Sequence, residues 1–251
     1  NTTTITTTGT QTYTGAVTLG SDTTLTTTNS AVLFSSTVNA SLAGKALTVA
    51  AGGGNVTFTG AVGTVALGNI TVTAAQFNAA AVKLQGTLSI TNSDTSAITG
   101  SITDGASAAS VTKAGSGTLT LSGDNSYTGT TIINAGTLQI TSNTALGATG
   151  GGTTVNLGAT LDLHNVAVGA EPVTLAGGTI KDTTSSLAGN ITLTANSTVS
   201  ATNSVDVLTL SGVISESGGS FGLTKTGAGT VILGNSTTDS SYSGGTTVNG
   251  G

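Results

Sequence analysis

A single histidine and ten carboxylates are the side chains of this 251-residue sequence best suited to acid–base chemistry. Asp162 and His164 are two positions apart, and side chains at that spacing lie on the same face of a β-strand. Such a pair could orient a base toward a serine nucleophile. The surrounding letters GATLDLHN continue a strand pattern that ends in a turn at His164-Asn165. We therefore interpret the pair as structural and expect no catalytic residue.

The carboxylates could also serve polysaccharide cleavage, which requires two or three acids converging in a groove. Most of the acids lie beside turn-forming residues, as Asp22, Asp124 and Asp239 do. An Asp side chain in that position commonly hydrogen-bonds to its own backbone. Arginine is absent, and no two acids are adjacent or separated by a single position. A polysaccharide-acting β-helix enzyme stays an alternative only if two acids, for example Asp104 and Asp124, meet in space.

Metal and cofactor motifs are missing from the sequence. Neither the GG.G.D nonapeptide of calcium-binding β-rolls nor an EF-hand loop occurs, so nothing supports a calcium site at Asp104 or Asp124. The glycine-rich stretch Gly147–Thr154 is followed by neither a lysine nor a helical pattern, which a phosphate loop needs. We expect no metal and no cofactor.

Threonine is abundant and recurs as T.T in Thr2–Thr8, Thr23–Thr28 and Thr192–Thr194. Flat ladders of this pattern bind ice in some β-solenoids by ordering water on a regular face. Because these pieces do not recur at one coil length, the sequence predicts a broken face. We therefore interpret threonine as a solvent-facing strand former.

The composition favours an all-β chain with a narrow core. Threonine, valine and isoleucine form strands well, whereas the chain has 1 Pro, no Cys and only 6% charged residues. Seven aromatic residues are few for one large globular core, but a solenoid stacks small aliphatic side chains and needs little aromatic volume. The composition predicts an elongated stack rather than a sandwich or barrel.

Charge and hydropathy exclude two classes of partner. The net charge is −5, arginine is absent, and the 5 lysines are far apart in sequence, whereas nucleic-acid binding needs clustered cations. No apolar run approaches the ~20 residues of a transmembrane helix. We expect neither nucleic-acid binding nor membrane insertion by this segment.

Two segments, Val111–Ile140 and Leu223–Gly251, repeat one pattern of strands and turns. A lysine, two glycines, two apolar residues, a tyrosine and a further glycine recur in both: Lys113, Gly115, Gly117, Leu119, Leu121, Tyr127 and Gly129, then Lys225, Gly227, Gly229, Val231, Leu233, Tyr242 and Gly244. The offset between counterparts is constant up to the central turn and is slightly larger after it, because the turn of the second copy is longer. A surface loop that lengthens between conserved strands behaves in this way.

The repeated lysines and tyrosines could bind or only support the fold. We predict that Lys113 and Lys225 are solvated and mark the same corner of two coils. Tyr127 and Tyr242 could stack on carbohydrate, as could Tyr13 and a phenylalanine in a similar phrase, Phe58. Since each lies next to a glycine at a strand edge, we favour a packing role that covers glycine or caps the core.

The pattern (L/V)TK.G.GTL.L.G...Y.G.T.(I/V)..G.L resembles the autotransporter-associated strand repeat of bacterial passenger domains. The phrases GTQTYTGAVTLG and NVTFTGAVG, within residues 8–80, also resemble repeats of filamentous-haemagglutinin-like exoproteins. Both resemblances imply a secreted or surface-displayed β-solenoid without catalytic chemistry, with a right-handed coil. They imply an adhesive or scaffolding role, with host or matrix surface molecules as partners.

We therefore predict a single-stranded parallel β-helix, one domain over residues 1–251, outside the cell or on the bacterial surface. Short strand signals every 8–10 residues suggest coils of ~20–25 residues, about ten in number and roughly 50 Å long in total. Ala74–Ala81 is the only tract that could form a helical turn. We expect a fragment of a longer chain, and an uncovered end coil can pair with another chain. A self-assembling filament or sheath subunit is thus an alternative.

Overall fold

The computed structural model describes residues 3–234 and 239–251, and its regular structure consists of 32 short strands. In chain order the strands are β1 (Thr4–Thr7), β2 (Gln11–Tyr13), β3 (Val17–Leu19), β4 (Thr23–Thr27), β5 (Val32–Phe34), β6 (Val38–Ala40), β7 (Leu47–Ala50), β8 (Val56–Phe58), β9 (Val62–Leu67), β10 (Ile70–Ala74), β11 (Phe77–Ala79), β12 (Val82–Leu84), β13 (Thr87–Asn92), β14 (Ser96–Ile98), β15 (Ile102–Asp104), β16 (Ser110–Ala114), β17 (Thr118–Leu121), β18 (Thr131–Ile133), β19 (Thr137–Ile140), β20 (Thr153–Asn156), β21 (Thr160–His164), β22 (Ala167–Val168), β23 (Val173–Ala176), β24 (Thr179–Thr183), β25 (Ser185–Leu187), β26 (Ile191–Ala195), β27 (Ser197–Ala201), β28 (Val207–Leu210), β29 (Ile214–Glu216), β30 (Leu223–Thr226), β31 (Thr230–Leu233) and β32 (Thr246–Val248).

These strands wind into a parallel β-solenoid of about eleven coils with three sides. Sheet A has eleven strands in the order β1-β4-β7-β10-β13-β16-β18-β20-β23-β26-β29, and sheet B has twelve in the order β2-β5-β8-β11-β14-β17-β19-β21-β24-β27-β30-β32. Each strand pairs in parallel with the equivalent strand of the next coil. The predicted all-β solenoid is confirmed, and the residues described contain no helix.

The third side is divided into two short sheets. Sheet C contains β3, β6, β9, β12 and β15, and sheet D contains β22, β25, β28 and β31. Between them lie the two coils that contain β16 to β19, and there the third side is formed by residues 122–130 and 141–152 instead of strands. This interruption coincides with the first sequence repeat.

Coil length varies, and the connections between strands absorb the variation. In sheet A, Thr24 pairs with Thr48 and Thr71 pairs with Ser89, so the coil that separates the first pair is longer than the coil that separates the second. The strands nevertheless stay in register from one coil to the next, apart from local shifts in the pairs β9–β12 and β23–β26. Eleven strands at roughly 4.8 Å each give a stack roughly 50 Å long, as the sequence predicts.

The interior is a narrow column of aliphatic side chains with an aromatic ladder in its first four coils. The rings of Tyr13 and Phe34 stack at 4.9 Å between centroids, those of Phe34 and Phe58 stack at 4.6 Å, and Phe77 meets Phe58 edge-on at 5.8 Å. The helical turn considered for Ala74–Ala81 does not form. Phe77 is instead the first residue of β11, because alternate apolar residues can all face the narrow core of a strand stack.

Candidate functional site

The first repeat builds a corner of the solenoid over two successive coils. Strand β16 of sheet A carries Lys113, the chain turns at Gly115, and β17 continues in sheet B. Gly115 has a φ of +75°, which side-chain-bearing residues rarely adopt, and a Cβ there would clash with the carbonyl oxygen of Asn92 on the preceding coil. Both observations explain why glycine occupies this corner.

Lys113 fills the inside of that corner. Its Nζ donates hydrogen bonds to the carbonyl oxygens of Ala114 at 2.8 Å, Gly115 at 2.9 Å and Ala135 at 3.1 Å. An ammonium group has three N–H donors, so these three carbonyls match its capacity. The side chain is fully buried, and burial lowers the pKa of Lys113 to about 8.

The prediction of a solvated Lys113 is therefore wrong. Strand β16 alternates between faces, with Val111 and Lys113 directed into the core and Thr112 outward. A buried ammonium normally carries a large desolvation penalty, but the corner offers carbonyls that the strand ladder leaves free to accept. The Lys113 ammonium thus supplies the hydrogen-bond donors for three backbone carbonyl oxygens at this corner.

The second repeat builds the same arrangement around Lys225 on β30. Its Nζ donates to the carbonyl oxygens of Gly227 at 2.7 Å, Gly229 at 2.5 Å and Gly250 at 2.5 Å. Lys225 is likewise buried rather than solvated, at 7% exposure. Strand β30 belongs to sheet B, however, so this lysine lies at the corner between sheets B and D. The prediction that both lysines mark the same corner is wrong: the repeat specifies a corner geometry, not a side of the solenoid.

Four further repeat glycines lie where a coil closely approaches its neighbour. An added Cβ would clash with backbone atoms of the preceding coil at each of Gly117, Gly129, Gly229 and Gly244. The apolar repeat positions differ between the two copies. Leu119 and Leu121 are fully buried, Val231 is half-buried and Leu233 is exposed.

The tyrosine of the first repeat packs inside the third side, whereas that of the second repeat lies next to the end of sheet A. Tyr127 is fully buried, and its hydroxyl lies 2.5 Å from the Oγ1 of Thr131. Its ring lies against Gly147, where an added Cβ would be 2.9 Å from ring carbons. Tyr242 repeats the arrangement with Thr246 and is half-buried. The burial of Tyr127 rules out carbohydrate stacking on its ring and agrees with the packing role.

Glu171 is a buried carboxylate that no sequence pattern singles out. Thr153 donates a 2.8 Å hydrogen bond to its Oε1, and Oε2 is buried without a partner among the described residues. Burial raises the pKa of Glu171 to about 7. Thr153 pairs in register with Thr131, so Tyr127, Thr131, Thr153 and Glu171 form a polar cluster within the aliphatic core. The sequence on either side of Glu171 gives no indication that its side chain faces inward.

Two aspartates are buried at the corner between sheets B and D. Asp182 faces inward from β24, and burial raises its pKa, with the nearby charge of Asp206 acting in the same direction. Asp206 accepts hydrogen bonds from the Asn203 backbone N–H at 2.7 Å and from the Asn203 side chain at 2.9 Å. Asp206 thus closes its own turn, as Asp commonly does.

Asp162 and His164, considered above as a possible acid–base pair, have structural roles: Asp162 binds side chains of the two neighbouring coils, and His164 ends a strand. Asp162 Oδ2 accepts a 3.1 Å hydrogen bond from Gln139 on one neighbouring coil and lies 3.4 Å from Lys181 Nζ on the other. The carboxylate therefore bridges rungs of sheet B. His164 ends β21, and the next residue, Asn165, turns the chain with a φ of 55°.

Asp104 and Asp124 bind neighbouring loops separately. Asp104 accepts hydrogen bonds from the Ala109 backbone at 2.7 Å and from the Thr128 hydroxyl at 2.6 Å; burial opposes ionisation, but these bonds outweigh it and lower the pKa. Asp124 accepts from Ser142 and Thr144, which lower its pKa. Neither has the raised pKa that a general acid needs near neutral pH.

The outer face of sheet A carries an ordered column of hydroxyl groups. One outward position is threonine or serine on ten of its eleven strands, with Ile132 as the exception. The column consists of Thr4, Thr24, Thr48, Thr71, Ser89, Thr112, Ile132, Thr154, Thr174, Thr192 and Ser215. The prediction of a broken face is therefore wrong for the first six coils, because the connections absorb the differences in coil length.

Sheet B has a second column of seven threonines: Thr118, Thr137, Thr160, Thr179, Thr198, Thr224 and Thr247. The next positions on the same face of these strands include Gln139, Asp162 and Lys181. The outer faces of sheets A and B therefore differ: the sheet B column lies beside charged groups.

Over residues 3–234 and 239–251 the chain has neither a metal-binding cluster nor a membrane-spanning helix. These residues contain no group of three or more His, Asp or Glu side chains placed to hold a metal ion. Within the same ranges there is no helix of the length and apolarity needed to cross a membrane.

Comparisons with known proteins agree with the sequence repeats. Residues 111–140 and 223–251 match the sequence model of the passenger-associated-transport-repeat family. Over 130 residues, or 48% of this chain, the sequence is 37% identical to the adhesin BmaC autotransporter of Brucella suis biovar 1 (strain 1330). The chain covers 4% of the length of that protein. No solved structure gave a significant match. The resemblance to autotransporter passengers is confirmed, and the repeats and this relative indicate an extracellular, cell-surface protein.

Proposed function

We propose that this chain is a structural segment of a surface adhesin, in which the solenoid holds adhesive surfaces at a distance from the cell. The proposal extends the adhesive role named for the Brucella relative to this chain. The partners are host or matrix surface molecules. No catalytic group is needed for this role.

The continuity of sheets A and B is the observation that carries the proposal. Eleven and twelve parallel strands form uninterrupted ladders along the stack, and the interior is closed by buried aliphatic side chains. A ladder of this kind joins each coil to the next through backbone hydrogen bonds, which suits a rigid spacer. The buried lysines reinforce two of its corners.

The spacer role is tested by small-angle X-ray scattering of the purified chain. An elongated particle with a length of roughly 50 Å, from about eleven rungs at ~4.8 Å each, is the expected result. A scattering profile of a compact sphere or of an expanded chain would contradict a rigid spacer.

The adhesive role needs a separate measurement. Beads coated with the chain are compared with beads coated with albumin for binding to epithelial cells and to matrix proteins, with the free chain added as competitor. Retention that the free chain inhibits supports direct adhesion by this segment. Equal retention of both kinds of bead would leave only the spacer role. A parallel assay on pectin- and chitin-like polymers tests the enzyme alternative through release of soluble sugar.

Self-association through end coils stays a prediction, since an unpaired strand edge can template another chain. Negative-stain electron microscopy and light scattering over a range of concentrations test it. Fibres that lengthen with concentration are the expected result for a filament subunit. Monodisperse short rods at every concentration would exclude it.

A further inference from the structure

The outer face of sheet A on the first five coils is an array of hydroxyl groups two columns wide. We call it the threonine face, and its ten positions are Thr4, Thr6, Thr24, Thr26, Thr48, Ala50, Thr71, Thr73, Ser89 and Thr91. Nine of these ten side chains carry a hydroxyl, and Ala50 is the single gap. All ten are half-buried or exposed, so they face solvent.

The array is regular in two directions. Neighbouring parallel strands lie roughly 4.7–4.9 Å apart, and alternate residues on one strand lie about 6.6 Å apart. The five strands β1, β4, β7, β10 and β13 pair without a register shift, so the columns remain straight. Five strands give an array roughly 19 Å long.

Two features hold the side chains of the threonine face in place: the packing of the inward-facing residues on the same strands and the stiffness of threonine itself. Leu25, Val49, Val72 and Ile90 alternate with them, and each is at most 2% exposed. Threonine is branched at Cβ and is stiff about χ1, so its hydroxyl and methyl groups lose little freedom when a ligand binds. The array is thus preorganised for a partner with a matching lattice.

The threonine face is also uncharged, since none of its five strands contains a charged residue. At eight of its ten positions the side chain is threonine, which carries one hydroxyl and one methyl group. The hydroxyl both donates and accepts a hydrogen bond, and the methyl group restricts neighbouring water. A neutral lattice of water molecules offers the same alternation of donors and acceptors.

We propose that the threonine face binds ice. Rows of oxygen atoms in hexagonal ice repeat in two directions at distances similar to those of the array, so hydroxyl-anchored water can merge with the crystal surface. This inference does not depend on the proposed function, because it concerns one outer face rather than the spacer role of the stack.

A crystalline polysaccharide is the competing occupant, and the threonine face lacks its usual recognition element. Sugar rings bind proteins strongly through flat stacking on aromatic side chains, and no strand of this face presents an aromatic residue outward. Hydroxyl groups alone exchange water hydrogen bonds for sugar hydrogen bonds with little net gain. The array therefore favours ordered water.

The test is thermal hysteresis and ice retention by the purified chain, with three variants. Ala50→Thr fills the single gap and is expected to increase thermal hysteresis at equal concentration. Thr48→Tyr places a bulky ring in the middle of the array and is expected to abolish it. Thr198→Tyr introduces the same ring into the column of sheet B and is the matched control, expected to leave the activity unchanged.

Circular dichroism verifies that each variant keeps its strand content, and Ala50→Thr keeps the test valid if Thr48→Tyr fails to fold. Absence of thermal hysteresis in both the parent chain and Ala50→Thr would overturn the proposal. Equal loss in Thr48→Tyr and Thr198→Tyr would also overturn it. Retention on crystalline cellulose or chitin, without ice activity and sensitive to Thr48→Tyr, would replace ice by polysaccharide as the occupant.

Discussion

Lys113 and Ala135 lie on successive coils, and Lys113 Nζ donates a 3.1 Å hydrogen bond to the carbonyl oxygen of Ala135. The same ammonium binds two carbonyls of its own coil. One side chain therefore closes a corner and joins it to the coil above. Lys225 does the same at another corner, reaching Gly250. The repeat motif encodes this corner through its lysine and its glycines.

Lys113→Met is expected to destabilise the chain. The substitution keeps the aliphatic volume but leaves three part-buried carbonyls without their donor, and a fully buried group left unpaired costs about 1–3 kcal/mol, which is the upper limit for each. Chemical unfolding followed by circular dichroism measures the change. Lys83→Met is the matched control because Lys83 is exposed on β12. Equal midpoints for the two variants would contradict a stabilising role for Lys113.

Gly115→Ala is expected to destabilise the first repeat more than Gly158→Ala does. Both glycines have a positive φ, +75° and +76°, so alanine is strained at either position by about 1–2 kcal/mol. Only at Gly115 would the new Cβ also meet backbone atoms of Asn92, whereas the space around Gly158 is open. The difference between the two unfolding free energies isolates the close approach of the coils. No difference would mean that the corner can shift.

Stability is expected to fall as pH rises between about 4.5 and 7 because of Glu171. Burial raises its pKa from 4.5 to about 7, so over that range the folded chain binds more protons than the unfolded chain. Glu171→Gln should therefore flatten the pH dependence of the unfolding free energy. Asp182, whose pKa burial also raises, contributes in the same direction.

Glu216→Gln provides the contrasting variant for this pH series. Hydrogen bonds from the Ser243 side chain and the Phe221 backbone lower the pKa of Glu216, so its contribution is lost as pH falls. Glu216→Gln should therefore make the unfolding free energy fall less steeply as the pH becomes acidic. If Glu171→Gln left the pH profile between about 4.5 and 7 unchanged, the proton uptake would have to come from other groups.

Phe34→Ala is expected to cost about 3–5 kcal/mol, since it removes one of the two inner rings of the aromatic ladder. Phe34 is 1% exposed and stacks on both Tyr13 and Phe58. Phe221→Ala serves as the control because that ring is only partly buried. Unfolding by guanidinium chloride, followed by circular dichroism, distinguishes the two. Similar losses would contradict the larger contribution expected from the buried and stacked ring of Phe34.

The sequence alone determined the class of the fold. Polar and apolar residues alternate in Thr118–Leu121, and turn-forming residues follow at Ser122–Asn125. Both are local patterns that predict strands and turns directly. The two copies of the repeat also follow from the sequence, because the order of lysine, glycine and tyrosine is preserved, as are the spacings on either side of the central turn. These features depend on neighbours along the chain, so the sequence alone determines them.

Only the tertiary structure decided which way key side chains face and which residues meet across coils. Lys113 lies inside because its position in the alternation of β16, rather than its polarity, sets the direction of its side chain. Glu171 lies inside from the connection between β22 and β23. Thr48 and Thr71 align because strand pairing is in register although coil lengths differ. A register shift by a single position would exchange the two faces of every strand. That phase is set by contacts between successive coils, whose partners are distant in sequence, and the local sequence pattern does not record them.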